Sequence, residues 1–221
     1  MKEHHLQTSR TARYFTIGNL NDSTENVWIV LHGYAQLAAD FIKTFEVLDN
    51  GKNFIVAPEG LNRFYTGKAP RRVVSTWMTS EDRLNEIQDY ILYLDNLYQH
   101  LNLHQSKAKI YLLGFSQGVA TASRWLHATQ NRVDHFVDYA GEMGTELYNP
   151  FSKKIRNTPM TYVTGKNDPL ISLDEHLKVY EMMKSLNANI IEFDGGHEVR
   201  TDVVERIAAL LISTDNKNSI Q

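Results

Sequence analysis

The stretch "KIYLLGFSQGVATASRWLHATQ", Lys109 to Gln130, contains the junction that decides how the rest of the chain is read. A continuous apolar run ends at Gly114-Phe115-Ser116-Gln117-Gly118, and an amphipathic run of helical period begins there. Two glycines around one serine at such a junction have two readings. One is geometric: a tight strand-to-helix turn needs small residues. The other is chemical: the turn is tight so that the Ser116 hydroxyl stands exposed as a nucleophile. Gly-x-Ser-x-Gly alone occurs by chance in roughly one chain of this length in ten to twenty, so the context has to choose.

Outward from this junction, short β-type runs alternate with helical ones. Strands are expected at 13–18, 27–33, 53–60, 109–115, 135–141, 160–165 and 189–196. Most are apolar throughout, as in strands covered on both faces. Helices are expected at 36–48, 117–130, 173–186 and 199–212. The clearest follows Ser80 or Glu81, where Leu84, Ile87, Ile91, Leu94, Tyr98 and Leu101 recur at three- and four-residue spacing. This alternation predicts an α/β fold: a mostly parallel central sheet of about seven strands flanked by helices. No linker or repeat divides residues 1–221, so a single domain is expected, with 1–12 and 214–221 as flexible termini. The segment 61–78 is too long and too aromatic for a plain connector and reads as a functional loop.

Composition excludes several classes. With 23 Lys and Arg against 26 Asp and Glu, the net charge is −3 and the pI about 6.3, which argues against a nucleic-acid partner. There is no cysteine, hence no disulfide framework, thiolate zinc site or cysteine nucleophile. "MKEHHLQTSRTAR" lacks the apolar core of a secretory signal, and no run approaches the ~18 apolar residues of a spanning helix. A cytoplasmic protein without integral membrane association is the expectation. The sequon at Asn21-Asp22-Ser23 is therefore read as accidental.

An activated Ser116 needs a base to take its proton. Of nine histidines, His197 in "FDGGHEV" sits on a loop after a strand, where it can reach over the sheet edge. His100, His104, His127, His135 and His176 read as solvated, and His4 and His5 lie in a polar terminus. The base needs an acid to hold its tautomer. Asp168 in "TGKNDPLIS" follows a strand, with Pro169 fixing the turn. Asp138 lies inside a strand, Glu142 sits near its end, and Asp194 precedes His197 too closely. The chain order Ser116, Asp168, His197 is that of the α/β-hydrolase architecture. Two N–H donors would hold an oxyanion: that of Gln117, and one after "VWIVLHG", assigned to Tyr34 with Ala35 as the alternative. A histidine at a strand end, such as His32, is by itself more often structural.

Together "LHGY", "GFSQG", "KNDPLIS" and "GGHEV" resemble the phospholipase/carboxylesterase branch of the α/β-hydrolases, which includes acyl-protein thioesterases. The resemblance spans about residues 27–210, and "APEG…STWM" is similar to that family's segment beside its active site. Three positions depart from it: Ala35-Gln36 after the His-Gly, Met78-Thr79-Ser80 after Trp77, and Val119 after Gly118. The resemblance implies a domain with no large cap, a small-molecule or lipid-like ester substrate and a serine carboxylesterase, with no metal or organic cofactor. A thioesterase, lysophospholipase or peptidase on the same residues, or a non-catalytic binding protein of the same fold, is the alternative. In the long loop, Phe64, Tyr65, Val73, Val74, Trp77 and Met78 would either wall an acyl site or simply cover the sheet end. Lys68, Arg71 and Arg72 would either meet an anionic leaving group or form a solvated rim.

No G-x-G-x-x-G or P-loop occurs, "HEVRT" lacks the second histidine of a zinc protease, and the His100–His104 pair lacks a third ligand.

Overall fold

The computed structural model describes residues 1–67, 70–148 and 151–218. All seven expected strands form one sheet: β1 (Tyr14–Ile17), β2 (Asn26–Leu31), β3 (Asn53–Pro58), β6 (Lys109–Phe115), β7 (His135–Tyr139), β8 (Met160–Gly165) and β9 (Asn189–Phe193). Their order is β1-β3-β2-β6-β7-β8-β9, parallel except for β1. The pair β4 (Asn62–Thr66) and β5 (Arg72–Thr76) makes a separate antiparallel hairpin.

The apolar runs are explained by burial on both faces. On β2, Val27, Ile29 and Leu31 enter one core, while Trp28 and Val30 enter the other. Helices α2 (Arg83–His100) and α3 (Gln117–Ala128) cover the first face; Leu94, Tyr98, Trp125 and Leu126 pack there. The second face is covered by α1 (Ala38–Phe41), the 3-10 turn Ile42–Leu48 and α6 (Thr201–Asn218), through Phe41, Phe45, Val203 and Ile207. The remaining helices are the short α4 (Lys153–Asn157) and α5 (Leu173–Ser185), the latter started by a Ser172–Glu175 capping box.

Four details differ from expectation. The segment 61–78 is largely the hairpin, in which Phe64 pairs with Val74 and Tyr65 with Val73; β-prone residues on both arms outweigh the Gly-Lys-Ala-Pro break between them. Helix α6 runs on to Asn218 through most of the expected tail, since no glycine or proline stops it. His100 ends α2, whereas His104 sits in a separate 3-10 turn (Leu103–Gln105), so the two share no helix face. His135 is not solvated: it is buried on β7 with Nε2 2.9 Å from Thr161 Oγ1.

The glycines around Ser116 serve close packing. A Cβ on Gly114 would lie 2.6 Å from the Gly118 carbonyl carbon, and one on Gly118 would run into the Leu31 carbonyl oxygen and lie 2.8 Å from that of His32. Helix α3 thus rests its first turn directly on the ends of β6 and β2. Between them Ser116 adopts φ 53° and ψ −120°, a sparsely populated conformation costing on the order of 1–3 kcal/mol.

At the end of β2, His32 is fully buried. Its Nε2 accepts the Gly60 N–H at 3.0 Å, so Nδ1 carries the proton and donates to the Gly33 carbonyl at 2.7 Å. The Trp77 ring stacks on the imidazole, 5.1 Å between centroids, and its Nε1–H donates to the His32 carbonyl at 2.8 Å. Burial pushes the imidazole down from 6.5 to about 4.

Two outcomes follow. Gly118→Ala should lose about 2 kcal/mol or more of unfolding free energy in urea, because the clash is with backbone. For His32, the unfolded chain takes up a proton below the ordinary value while the folded chain refuses it until about pH 4. Its contribution is therefore full above ~6.5 and lost as pH falls toward 4, about 3 kcal/mol in all. Urea unfolding at pH 7, 5.5 and 4.5 should show a slope in the wild type that is shallower in His32→Gln.

Candidate active site

The carboxyl ends of the parallel strands bring four loops to one edge of the sheet. Ser116 follows β6, residues 32–37 follow β2, Asp168 follows β8, and His197 follows β9.

His197 Nδ1 lies 2.7 Å from Asp168 Oδ2, and the Asp168 side chain is only 2% exposed. The other Asp168 oxygen accepts the Leu170 N–H at 2.9 Å, which holds the carboxylate on its loop. A carboxylate accepting from Nδ1 leaves Nε2 as the unprotonated nitrogen of a neutral ring. The His197 ring packs against Phe115, 5.0 Å between centroids, so it is held next to the residue that precedes Ser116. The loop turn itself is tied by Asn167 N–H to Gly195 O, 2.9 Å, and Lys166 N–H to Phe193 O, 3.0 Å. These bonds join the Asp168 and His197 loops into one unit.

The competing acids lie elsewhere. Asp138 is buried in β7, and burial pushes its carboxyl well above the usual carboxylate range. Asp194 pairs with Lys166 at 3.3 Å, and Glu142 accepts from the Tyr148 hydroxyl at 3.1 Å.

The N–H groups expected to hold an oxyanion belong to segments next to Ser116. Gln117 opens α3, where the first N–H groups have no helical acceptor. Its side chain does separate work: Oε1 accepts from Thr76 Oγ1 (3.0 Å) and Trp77 N–H (3.2 Å), and Nε2 donates to the Met78 carbonyl at 2.9 Å. Gln117 thereby ties the end of the hairpin to the start of α3, a role the sequence did not disclose. Across from it, a Cβ on Gly33 would lie 3.2 Å from Ser116 Cβ, which places the loop after β2 against the serine. The Ala35 N–H is engaged with the Ser75 carbonyl at 3.0 Å, which favours Tyr34 over Ala35 as the donor from this loop.

A cleft of about 650 Å³ adjoins His197. Leu37, Phe41, Val73, Val74, Phe115 and Val199 give it apolar lining, and Asp40, Arg72 and Glu198 line it as well. Of the six hairpin residues named as a wall, Val73 and Val74 line this cleft. Trp77 does not; it is 1% exposed and belongs to the core against His32. Met78 turns toward Arg124, with Sδ 3.6 Å from Nη1. Phe64 stacks obliquely on Tyr34, 5.6 Å between centroids, and Tyr65 is exposed. Arg72 borders the cleft and Arg71 is not part of its lining, while Lys68 falls outside the described residues. Phe41, Phe115 and Val199 were not legible as cleft residues, because they come together from a helix, a strand end and a loop far apart in the sequence.

Among the described residues, no helix is long and apolar enough to cross a membrane. No curated protein matches the chain in sequence. Solved structures of this fold do. Esterase PE8 aligns with a TM-score of 0.68 at 16% identity, over 92% of this chain and 99% of its own. An acyl-protein thioesterase 2 from Zea mays aligns with a TM-score of 0.69 at 15% identity, over 92% and 99%. A phospholipase/carboxylesterase from Dyadobacter fermentans DSM 18053 gives 0.62 at 16%, over 91% and 96%. At such identities these likenesses establish the α/β-hydrolase fold, here without a large cap. A family model described as "Serine hydrolase (FSH1)" matches residues 28–203, which include the loop after β2, the Ser116 turn, Asp168 and His197. The chain therefore belongs to the FSH1 serine hydrolase family, and it is a serine hydrolase.

Proposed function

We propose that this hydrolase is a serine carboxylesterase in which Ser116, His197 and Asp168 act together. The observation that carries the reading is the 2.7 Å pairing of His197 Nδ1 with a nearly buried Asp168 carboxylate, on loops at the same edge of the sheet as the Ser116 turn. His197 Nε2 accepts the Ser116 proton as Oγ attacks the ester carbonyl. The N–H groups of Gln117 and Tyr34 hold the resulting oxyanion. His197 then returns its proton to the leaving alcohol, and Asp168 stabilises the imidazolium between the two transfers. The acyl-enzyme is cleaved by water deprotonated by the same imidazole, which regenerates Ser116.

The substrate side of the reading rests on the cleft beside His197. Its apolar lining suits an acyl chain, and Asp40, Arg72 and Glu198 offer polar partners to the rest of the ester. Chain-length preference then belongs to Val73 and the residues facing it, and not to Trp77. Neither cofactor nor metal enters the reaction, because the nucleophile, base and oxyanion donors all come from the chain. The cytoplasm, as the compartment, is part of the same proposal.

The test is hydrolysis of p-nitrophenyl esters from acetate to dodecanoate. The wild type should hydrolyse part of the series, Ser116→Ala none of it, and Asp168→Asn should lose about 10³- to 10⁴-fold in kcat while staying folded. Hydrolysis retained by Ser116→Ala would refute the assignment. Val73→Trp, which fills the cleft from its exposed side, should move the optimum to shorter esters and leave acetate within about threefold of wild type. An unchanged chain-length profile would remove the cleft from the account.

A further inference from the structure

The buried histidine at the end of β2 has no place in the chemistry above, and it takes no proton near neutrality. Its contacts nevertheless bear on that chemistry through one peptide group. Within the loop after β2, five backbone polar groups are engaged. The His32 carbonyl accepts from Trp77 Nε1. The Gly33 N–H donates to Gln36 Oε1 at 2.7 Å, and the Gly33 carbonyl accepts from His32 Nδ1 at 2.7 Å. The Ala35 N–H donates to Ser75 O, while Gln36 O accepts from Ser75 N–H at 2.9 Å and Ser75 Oγ at 2.8 Å.

The Gly33–Tyr34 peptide is the one whose direction matters. In a trans peptide the carbonyl and the following N–H point to opposite sides. A carbonyl drawn toward the buried imidazole sends the Tyr34 N–H the other way. Gly33 lies next to the serine, since a Cβ added to it would fall 3.2 Å from Ser116 Cβ, so the peptide that follows it borders the nucleophile. A flipped peptide would present a carbonyl oxygen there, which repels an oxyanion instead of binding it.

We propose that His32 is a positioning residue: its Nδ1–H holds the Gly33 carbonyl inward and thereby keeps the Tyr34 N–H turned toward the oxyanion formed at Ser116. The imidazole is itself over-determined. The Gly60 N–H at Nε2 fixes the tautomer that puts the proton on Nδ1, and the Trp77 ring fixes the ring plane. Ser75 Oγ, 3.1 Å from Nε2, is already committed as a donor to Gln36 O. The hydrogen-bond chain from Gly60 through His32 to Gly33 therefore ends at a catalytic N–H. The glycine that follows His32 is required for the same reason, since a Cβ there would press on Ser116 and Phe115.

The inference rests on the esterase reading, and its test separates the two. His32→Leu removes both ring contacts. His32→Asn keeps a donor at the position of Nδ1 and should still reach the Gly33 carbonyl. With variants shown to be folded by circular dichroism and urea unfolding, kcat and KM are measured on the best p-nitrophenyl ester, together with Ki for an alkyl boronic acid. Boronic acids form an anionic tetrahedral adduct on a serine and so report on the oxyanion donors directly. His32→Leu should lower kcat about 10²-fold with KM within about threefold, and raise Ki by a similar factor. His32→Asn should recover at least tenfold of both losses. If His32→Leu does not fold, His32→Gln, whose longer carboxamide offers Oε1 to the Gly60 N–H but places no donor at the position of Nδ1, replaces it with the same expected losses. Wild-type kcat without the Nδ1 donor, a kcat loss with unchanged Ki, or no recovery in a folded His32→Asn would overturn the proposal. Wild-type protein without any hydrolysis that depends on Ser116 would overturn the esterase reading, and this proposal with it.

Discussion

Everything at the sheet edge depends on how closely α3 can approach the ends of β2 and β6. The approach is set by Gly114 and Gly118, where even one added carbon would strike the backbone of the neighbouring element. With the helix seated that low, the chain has to pass through a positive φ at Ser116. The cost, on the order of 1–3 kcal/mol, is met by the burial of α3, whose Trp125 and Leu126 are fully enclosed. Local strain and global packing are thus coupled. A looser helix would relax the serine, and a relaxed serine would no longer project from the turn.

A second constraint keeps the surrounding loops in register with that turn. The Gln117 side chain binds the exit of β5, and β5 binds the loop after β2 through Ser75. His32 and Trp77 close the circuit in the interior. The hairpin is therefore more than a cover over the sheet end. Its inner residues brace the loop that faces Ser116, while Val73 and Val74 turn to the cleft. One segment both braces the loop beside Ser116 and lines the cleft beside His197.

How much of this was legible follows from range. The seven strands could be read because each is buried on both faces and its apolar run is local information, as in "YVTG" of β8 and "VWIVL" of β2. Ser116, Asp168 and His197 each sit just past such a run, which is why the sequence singles them out. The hairpin was harder. Its β-prone arms are half exposed and interrupted by Gly67 and Pro70, so composition resembled a loop. Trp77 misled for a related reason: an aromatic residue near a site looks like a wall, and only the stacking on His32 shows it to be core. The solvated reading of His135 failed similarly, because its partner Thr161 is 26 residues away. Phe115 and Val199 join the cleft only through tertiary contacts, which no spacing rule encodes.

The central claim is that Ser116 is a nucleophile activated by the His197–Asp168 pair. Its most direct measurement is covalent labelling with an alkyl fluorophosphonate, followed by intact-mass analysis and peptide mapping. The account predicts a single adduct on the peptide carrying Ser116, formed rapidly by the wild type and at least 10²-fold more slowly by His197→Ala. A folded wild type that forms no adduct, an adduct on another residue, or equal labelling without His197 would contradict it.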